Sequence, residues 1–143
     1  MFGRYRHTID AKNRLFIPAK FREEMGEKLI ISRDIADNCL NLYPLSKWTE
    51  FEKKINALPS IQLRRVRQFI YSNTCDADAD SMGRVIINSQ LYDDAGLKKE
   101  VMIVGMGEYA QVWDLGEWNR LRGEFEASGG KDDLLARLEE LGF

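Results

Sequence analysis

Cysteine and histidine, the residues that most often carry metal or redox chemistry, are nearly absent from this chain. Its 143 residues hold two cysteines, Cys39 and Cys75, and a single histidine, His7. Two cysteines in a chain long enough to bury a core do not make a disulfide scaffold. They read as buried thiols in a reducing compartment. A lone histidine with no Cys or His at ligand spacing reads as a polar contact on a strand rather than a metal ligand. Long apolar runs are missing as well. No window approaches the length of a membrane span, and the charged N-terminus lacks the continuous apolar stretch of a signal peptide. No Ser/His/Asp or Cys/His arrangement emerges, and no motif cradles a cofactor. The expectation is a cytoplasmic protein that is not an enzyme, with no catalytic, metal-binding or cofactor-binding residues and no small-molecule substrate.

Two stretches imitate such motifs and fail. Asp76-Ala77-Asp78-Ala79-Asp80 resembles the start of a calcium loop, but Ser81 stands where glycine is needed and Ile87 where a bidentate acid is needed. It reads as an acidic lead-in to a strand. Gly105-Met106-Gly107 has no helix start behind it, so it reads as a hairpin turn rather than a nucleotide loop.

What the chain does have is enough apolar residue for a core, 44%, and 31% charged residues, with a formal net charge of −2. The length suits one ordinary domain or two small units sharing a core. The charge is unevenly spread. Residues 1–22 carry six basic groups against one acid, net +5, whereas residues 107–143 carry nine acids against four bases, net −5. This asymmetry points to a polyanion partner at the N-terminal end or, equally, to a mixed surface without one.

The dominant feature is a stretch that occurs twice. Asp10-Ala11-Lys12-Asn13-Arg14 precedes Leu15-Phe16-Ile17, and Asp80-Ser81-Met82-Gly83-Arg84 precedes Val85-Ile86-Ile87, at an offset of 70 residues. Each copy is a tight turn flanked by an acid and a base, with Asn13 and Gly83 at the place where positive φ is tolerated. The match continues through Phe21 and Leu91, Leu42 and Val112, Tyr43 and Trp113, and Trp48 and Trp118. Small insertions near Leu29 and Val101 shift the register locally. A repeat outweighs any single propensity, and units of this size bury too little surface alone, so the halves are expected to fold together.

Around the turns, Arg4, Arg6 and Thr8 alternate with Tyr5, His7 and Ile9 along one strand. Pro18 starts a short helix through Phe21 and Met25, ended by Gly26. Leu29–Ile31 and Leu40–Tyr43 read as strands. Ser46 is the expected N-cap of a helix to Leu58 with Trp48, Phe51, Ile55 and Leu58 on one face. Ile61, Leu63, Val66, Phe69 and Ile70 are expected to line the next helix, with Arg64, Arg65 and Arg67 on its other side. Beyond Gly129-Gly130, Leu134, Leu135, Leu138 and Leu141 mark an amphipathic helix, packed on the chain's own core or on a neighbouring subunit. The matched aromatic residues Tyr43, Trp48, Trp113 and Trp118 read as core.

The two Asp-x-x-x-Arg turns, the opening Phe2-Gly3-Arg4-Tyr5-Arg6-His7-Thr8-Ile9-Asp10-Ala11-Lys12, Leu42-Tyr43-Pro44-Leu45 with Trp48, Arg64-Arg65-Val66, and Gly96-Leu97-Lys98-Lys99-Glu100-Val101 together resemble the MraZ family of bacterial transcriptional regulators. The resemblance covers essentially the whole chain. It implies an α+β fold: a pseudo-two-fold pair of AbrB-like swapped-hairpin modules forming a small β-barrel-like core with flanking helices. The corresponding boundaries are residues 5–47 for module 1, 48–75 for a helical connector, 76–119 for module 2 and 120–143 for a C-terminal helical segment. It further implies a nucleoid-associated, ring-like homo-oligomer that binds double-stranded DNA at short repeated elements. In that family the protein represses the promoter of the cell-division and cell-wall gene cluster, including its own gene. Asn13 departs from the family's usual glycine.

Arg14 and Arg84 each read in two ways from the residues alone. One is a turn-closing bridge to the acid four residues earlier, which contributes only about 0–1 kcal/mol when exposed. The other is a fork that grips phosphate or a guanine edge. The resemblance favours DNA contact for Arg14, oriented by Asp10, and leaves Arg84 with Asp80 as a structural twin or a weaker contact. Lys12, Arg4, Arg6 and Lys20 are candidate phosphate contacts, against a solvated face for Lys20 and Arg22. Asn13 and Gly83 shape the turns. The rival functions are an antitoxin-like module that binds a protein partner and an oligomeric scaffold with no nucleic-acid role.

Overall fold

The computed structural model describes residues 1–143. Eight strands and six helices make a mixed α+β fold. Two short strands, β2 (Arg14–Phe16) and β6 (Arg84–Ile86), pair antiparallel as a separate ribbon. The other six strands are β1 (Arg4–Thr8), β3 (Leu29–Arg33), β4 (Leu40–Pro44), β5 (Thr74–Asp76), β7 (Glu100–Gly105) and β8 (Ala110–Asp114). They form one antiparallel sheet in the order β1-β7-β8-β4-β3-β5. The helices are α1 (Ala19–Met25), α2 (Leu45–Asn56), α3 (Ser60–Ser72), α4 (Ser89–Asp94), α5 (Leu115–Ala127) and α6 (Gly130–Glu140).

The sheet order shows how the repeat folds. The first strand of each half pairs with a strand of the other half: β1 with β7, and β5 with β3. Tyr5 faces Ile103 and Cys75 faces Ile31, so the two exchanges are equivalent once the small insertion beside β7 is allowed for. Two pairings join a residue directly to its own repeat partner, Asn41 to Gln111 in β4–β8 and Leu15 to Val85 in β2–β6. A pseudo-two-fold axis therefore passes through both pairs.

The sheet does not close into a barrel. Strands β1 and β5 remain as edges, because β2 and β6 use their backbone hydrogen bonds on each other. The expected barrel-like core is instead a layer between the open sheet, the ribbon, α1 and α4. Its main cluster of 19 residues mixes both halves, with Ile9, Leu15, Ile17 and Phe21 against Val85, Ile87, Leu91 and Val101. Neither half supplies this main layer alone. Burying each such side chain contributes about 1.5–3 kcal/mol, so separating the halves would forfeit most of that layer.

A second cluster, Ile30, Trp48, Ile55 and Ile70, lies under α2 and α3. Here the helix expectations need correction. Pro44, not Ser46, precedes α2, and no side chain caps it; Pro44 has the fixed φ that starts a helix without a donor. The matched residue Asp114 does cap α5, accepting from Glu117 N at 3.1 Å. Helix α2 ends at Asn56, before Leu58. In α3, Leu63, Val66 and Ile70 turn inward while Ile61 is 89% exposed and Phe69 is also exposed. Ile61 and Ile70 are nine residues apart, two and a half helical turns, so they point in opposite directions. Helix α5 buries no residue fully, and Leu134, Leu135, Leu138 and Leu141 at α6 are all exposed. Trp48 and Trp113 are buried, whereas Tyr43 and Trp118 are half-buried.

Cys39 is buried and Cys75 half-buried, both as free thiols, and burial raises the pKa of each. His7 makes no polar contact within the chain. It is half-buried opposite Val101, and burial lowers its pKa. No helix is long and apolar enough to cross a membrane.

Candidate nucleic-acid interface

Each Asp-x-x-x-Arg turn is built by one carboxylate. Asp10 Oδ1 accepts from the backbone N–H groups of Lys12 and Arg14, both at 2.9 Å, and its Oδ2 accepts from Arg14 Nε at 2.7 Å. Asp80 repeats the pattern, with Met82 N and Arg84 N both at 2.9 Å and Arg84 Nε at 2.9 Å. The chain closes each turn through positive φ, 58° at Asn13 and 79° at Gly83, and Asn is the non-glycine residue that accepts this with least strain. Both carboxyls are held below the ordinary aspartate pKa, first by the backbone N–H of the arginine four residues on.

The turns also brace one another. Ile17 N donates to Gly83 O at 3.1 Å, and Ile87 N donates to Asn13 O at 2.8 Å. The residue at positive φ in one half is thus tied to the strand of the other. The consequence is a single composite surface where the sequence suggested two separate turns. Leu15 and Val85 point into the core; alternation then sends Arg14, Phe16, Arg84 and Ile86 outward together. Lys12 and Met82 stand exposed on the turns.

In this surface the two arginines are nearly equivalent. Each uses only Nε on its aspartate, so the Nη1 and Nη2 groups have no protein acceptor. Arg14 is 30% exposed and Arg84 20%, and the Arg84 guanidinium lies 5.8 Å from the centre of the Phe16 ring. The turn-closing bridge and an outward-facing fork therefore coexist in one side chain. A guanidinium fixed by its Nε and open at both Nη atoms is pre-set to grip a phosphate or a guanine edge.

The other candidates lie elsewhere. Arg4 and Arg6 are on the outer face of the edge strand β1, not on the ribbon, and Arg6 pairs with Glu100 at 3.2 Å. Lys20 is exposed on α1. Arg65 and Arg67 bond Gln68 and Asn56 within the helical connection. Phe16 and Ile86 were not singled out from sequence, although they are repeat partners beside the arginines. Arg22 lies on the expected helix, α1, and covers Gly83. No group of three or more His, Cys, Asp or Glu side chains is placed to hold a metal ion.

A family model described as "MraZ protein, putative antitoxin-like" matches residues 1–67 and 70–137. The chain belongs to the MraZ family. Among its curated relatives is a protein of Acetivibrio thermocellus, 38% identical over 99% of this chain and 98% of its own length. A Halothermothrix orenii protein is 37% identical over 98% and 97%. A Carboxydothermus hydrogenoformans protein is 41% identical over 82% of each chain. All three are named "Transcriptional regulator MraZ".

Proposed function

We propose that this MraZ-family chain is a sequence-specific, double-stranded-DNA-binding transcriptional regulator, and that the β2–β6 ribbon is its DNA-contacting surface. The observation that carries the reading is the outward pair Arg14 and Arg84, bridged through Nε and open at both Nη groups. Asp10 and Asp80 orient the forks, and Asn13 and Gly83 shape the turns that present them. Lys12 adds a phosphate contact beside Arg14; Arg4 and Arg6 contribute field strength from the strand edge. Phe16 and Ile86 give the surface an apolar component suited to a thymine methyl group.

In this reading the modules are AbrB-like, with residues 5–47 and 76–119 as the pair, 48–75 as connector and 120–143 as the C-terminal segment. The strand exchanges β1–β7 and β5–β3 support it. The protein acts in the cytoplasm on the nucleoid as a ring-like homo-oligomer. It represses the promoter of the cell-division and cell-wall cluster that includes its own gene, and it performs no catalysis. One ribbon is a small contact, so several subunits on repeated elements supply affinity through avidity.

The test is titration on the protein's own upstream DNA at several salt concentrations. Arg14→Ala is expected to lose about 1–3 kcal/mol per engaged subunit where it reads a base edge. Arg84→Ala is expected to lose a similar amount because its Nη groups are equally open. Wild-type affinity in a folded Arg14→Ala oligomer would overturn the assignment.

A second reading, antitoxin-like binding of a protein partner, draws on the family description and on the exposed leucines of α6. A small partner that co-purifies from the native host and is lost on removal of residues 130–143 would favour it.

A further inference from the structure

The two turns differ in charge. The first carries Lys12 and Arg14; the second carries Met82 and Arg84. By residue type alone the second turn has one cation fewer than the first, and the fold brings another from a different element. Arg22, in the last turn of α1, lies directly over Gly83. A Cβ built on Gly83 would fall 2.6 Å from Arg22 Cδ and 2.7 Å from its Cζ, with Nη1 nearer still. Gly83 is buried beneath this side chain, whereas the matched Asn13 keeps its own side chain. Tyr92 occupies the position in the second half that matches Arg22, so the first turn receives no such arginine.

Arg22 is exposed and takes part in none of the chain's ion pairs. No carboxylate of the chain neutralises its guanidinium where it lies over Gly83, so that charge is free to attract an anion. Lacking a hydrogen bond that fixes its plane, Arg22 is suited to a phosphate, which needs charge, rather than to a base edge, which needs orientation.

We propose that Arg22 is a phosphate-contacting residue of the second turn, supplying the cation that Met82 does not. The proposal rests on the reading of the ribbon as a DNA-contacting surface. Each turn then has one aspartate-bridged arginine and one further cation, from the turn itself in one case and from a helix in the other.

The experiment compares wild type, Arg14→Ala, Arg22→Gln and Gly83→Asn on upstream DNA between 50 and 200 mM salt. Each lost phosphate contact lowers the log–log salt slope by about 0.9. The wild-type advantage over Arg22→Gln should therefore shrink about 3.5-fold per engaged subunit across this range, with sequence preference unchanged. Gly83→Asn displaces Arg22 and should reproduce the loss, and adding Arg22→Gln to it should cost nothing more. A wild-type slope in Arg22→Gln, with Arg14→Ala still impaired, overturns the role of Arg22 and leaves the ribbon reading standing. Unimpaired Arg14→Ala overturns the ribbon reading and the role of Arg22 with it. Should Arg22→Gln melt early or change oligomeric mass, Arg22→Lys decides. Recovery of the wild-type slope supports the proposal, and a slope still reduced in a stable Arg22→Lys protein overturns it.

Discussion

Replacing Gln111 with alanine should destabilise the fold by removing a polar relay that stitches the two halves together on their axis. Gln111 is buried beside its repeat partner Asn41. Its Nε2 donates to Asn41 Oδ1 at 3.3 Å, and its Oε1 accepts from Trp113 Nε1 at 2.9 Å. Asn41 Nδ2 donates in turn to Asp34 Oδ1 at 2.9 Å. An ionised aspartate only accepts and an indole N–H only donates, so one orientation of each amide satisfies every group. Gln111→Ala leaves the Trp113 N–H and the Asn41 carbonyl oxygen without partners. At about 1–3 kcal/mol for each buried group left unsatisfied, the expected cost is about 2–6 kcal/mol. Gln111→Glu keeps the acceptor for Trp113 but sets a carboxylate against the Asn41 oxygen. Asn41 cannot turn around without facing Asp34 with the wrong atom, so this near-isosteric change should also destabilise. Chemical denaturation at one fixed protein concentration measures both variants, since assembly would otherwise contribute to apparent stability. A Gln111→Ala protein within about 0.5 kcal/mol of wild type, the range of an ordinary surface change, would refute the relay.

Three further outcomes are expected. Leu15→Ala, fully buried at the other axial pair, should cost about 2–5 kcal/mol and weaken DNA binding through both turns at once, read by denaturation and by titration. Trp48→Ala should cost about 3–5 kcal/mol by denaturation while leaving the DNA affinity of the folded fraction intact, because the cluster under α2 and α3 lies away from the ribbon. NMR titration of the Asp10 and Asp80 carboxyls should give midpoints below 3.8. Because both native pKa values are lowered, the stabilisation is complete above the unfolded value and fades as pH falls through the native ones. Midpoints at or above 3.8 would show that the N–H groups do not hold these carboxylates.

The repeat made the halves legible, because an offset of 70 pairs turn with turn and core residue with core residue. Positive φ at Asn13 and Gly83 followed from residue type alone. What the pattern could not show is which twin strands exchange partners. The outcome for β1 and β5 depends on edges meeting across halves, not on their own alternation. For the same reason two turns read separately became one surface: the pairing of Leu15 with Val85 is a contact across 70 residues. Arg22 was invisible as a neighbour of Gly83 because that contact joins a helix of one half to a turn of the other. The trace it leaves in the sequence is indirect, a glycine where the first copy tolerates Asn13. Ile61 and Phe69 were misplaced because an apolar residue on a short helix fits more than one stripe until the partner surface is known.

Under the proposed reading of the ribbon as a DNA-contacting surface, the pseudo-two-fold axis has a consequence for how it would sit on a double helix. Two identical halves would present the same face after half a rotation and would suit a palindrome. Here Lys12 is matched by Met82 and Phe16 by Ile86, and Arg22 covers only the second turn. Rotating the ribbon by half a turn does not restore it. On DNA it would have a head and a tail, and the site it prefers would read differently in its two directions.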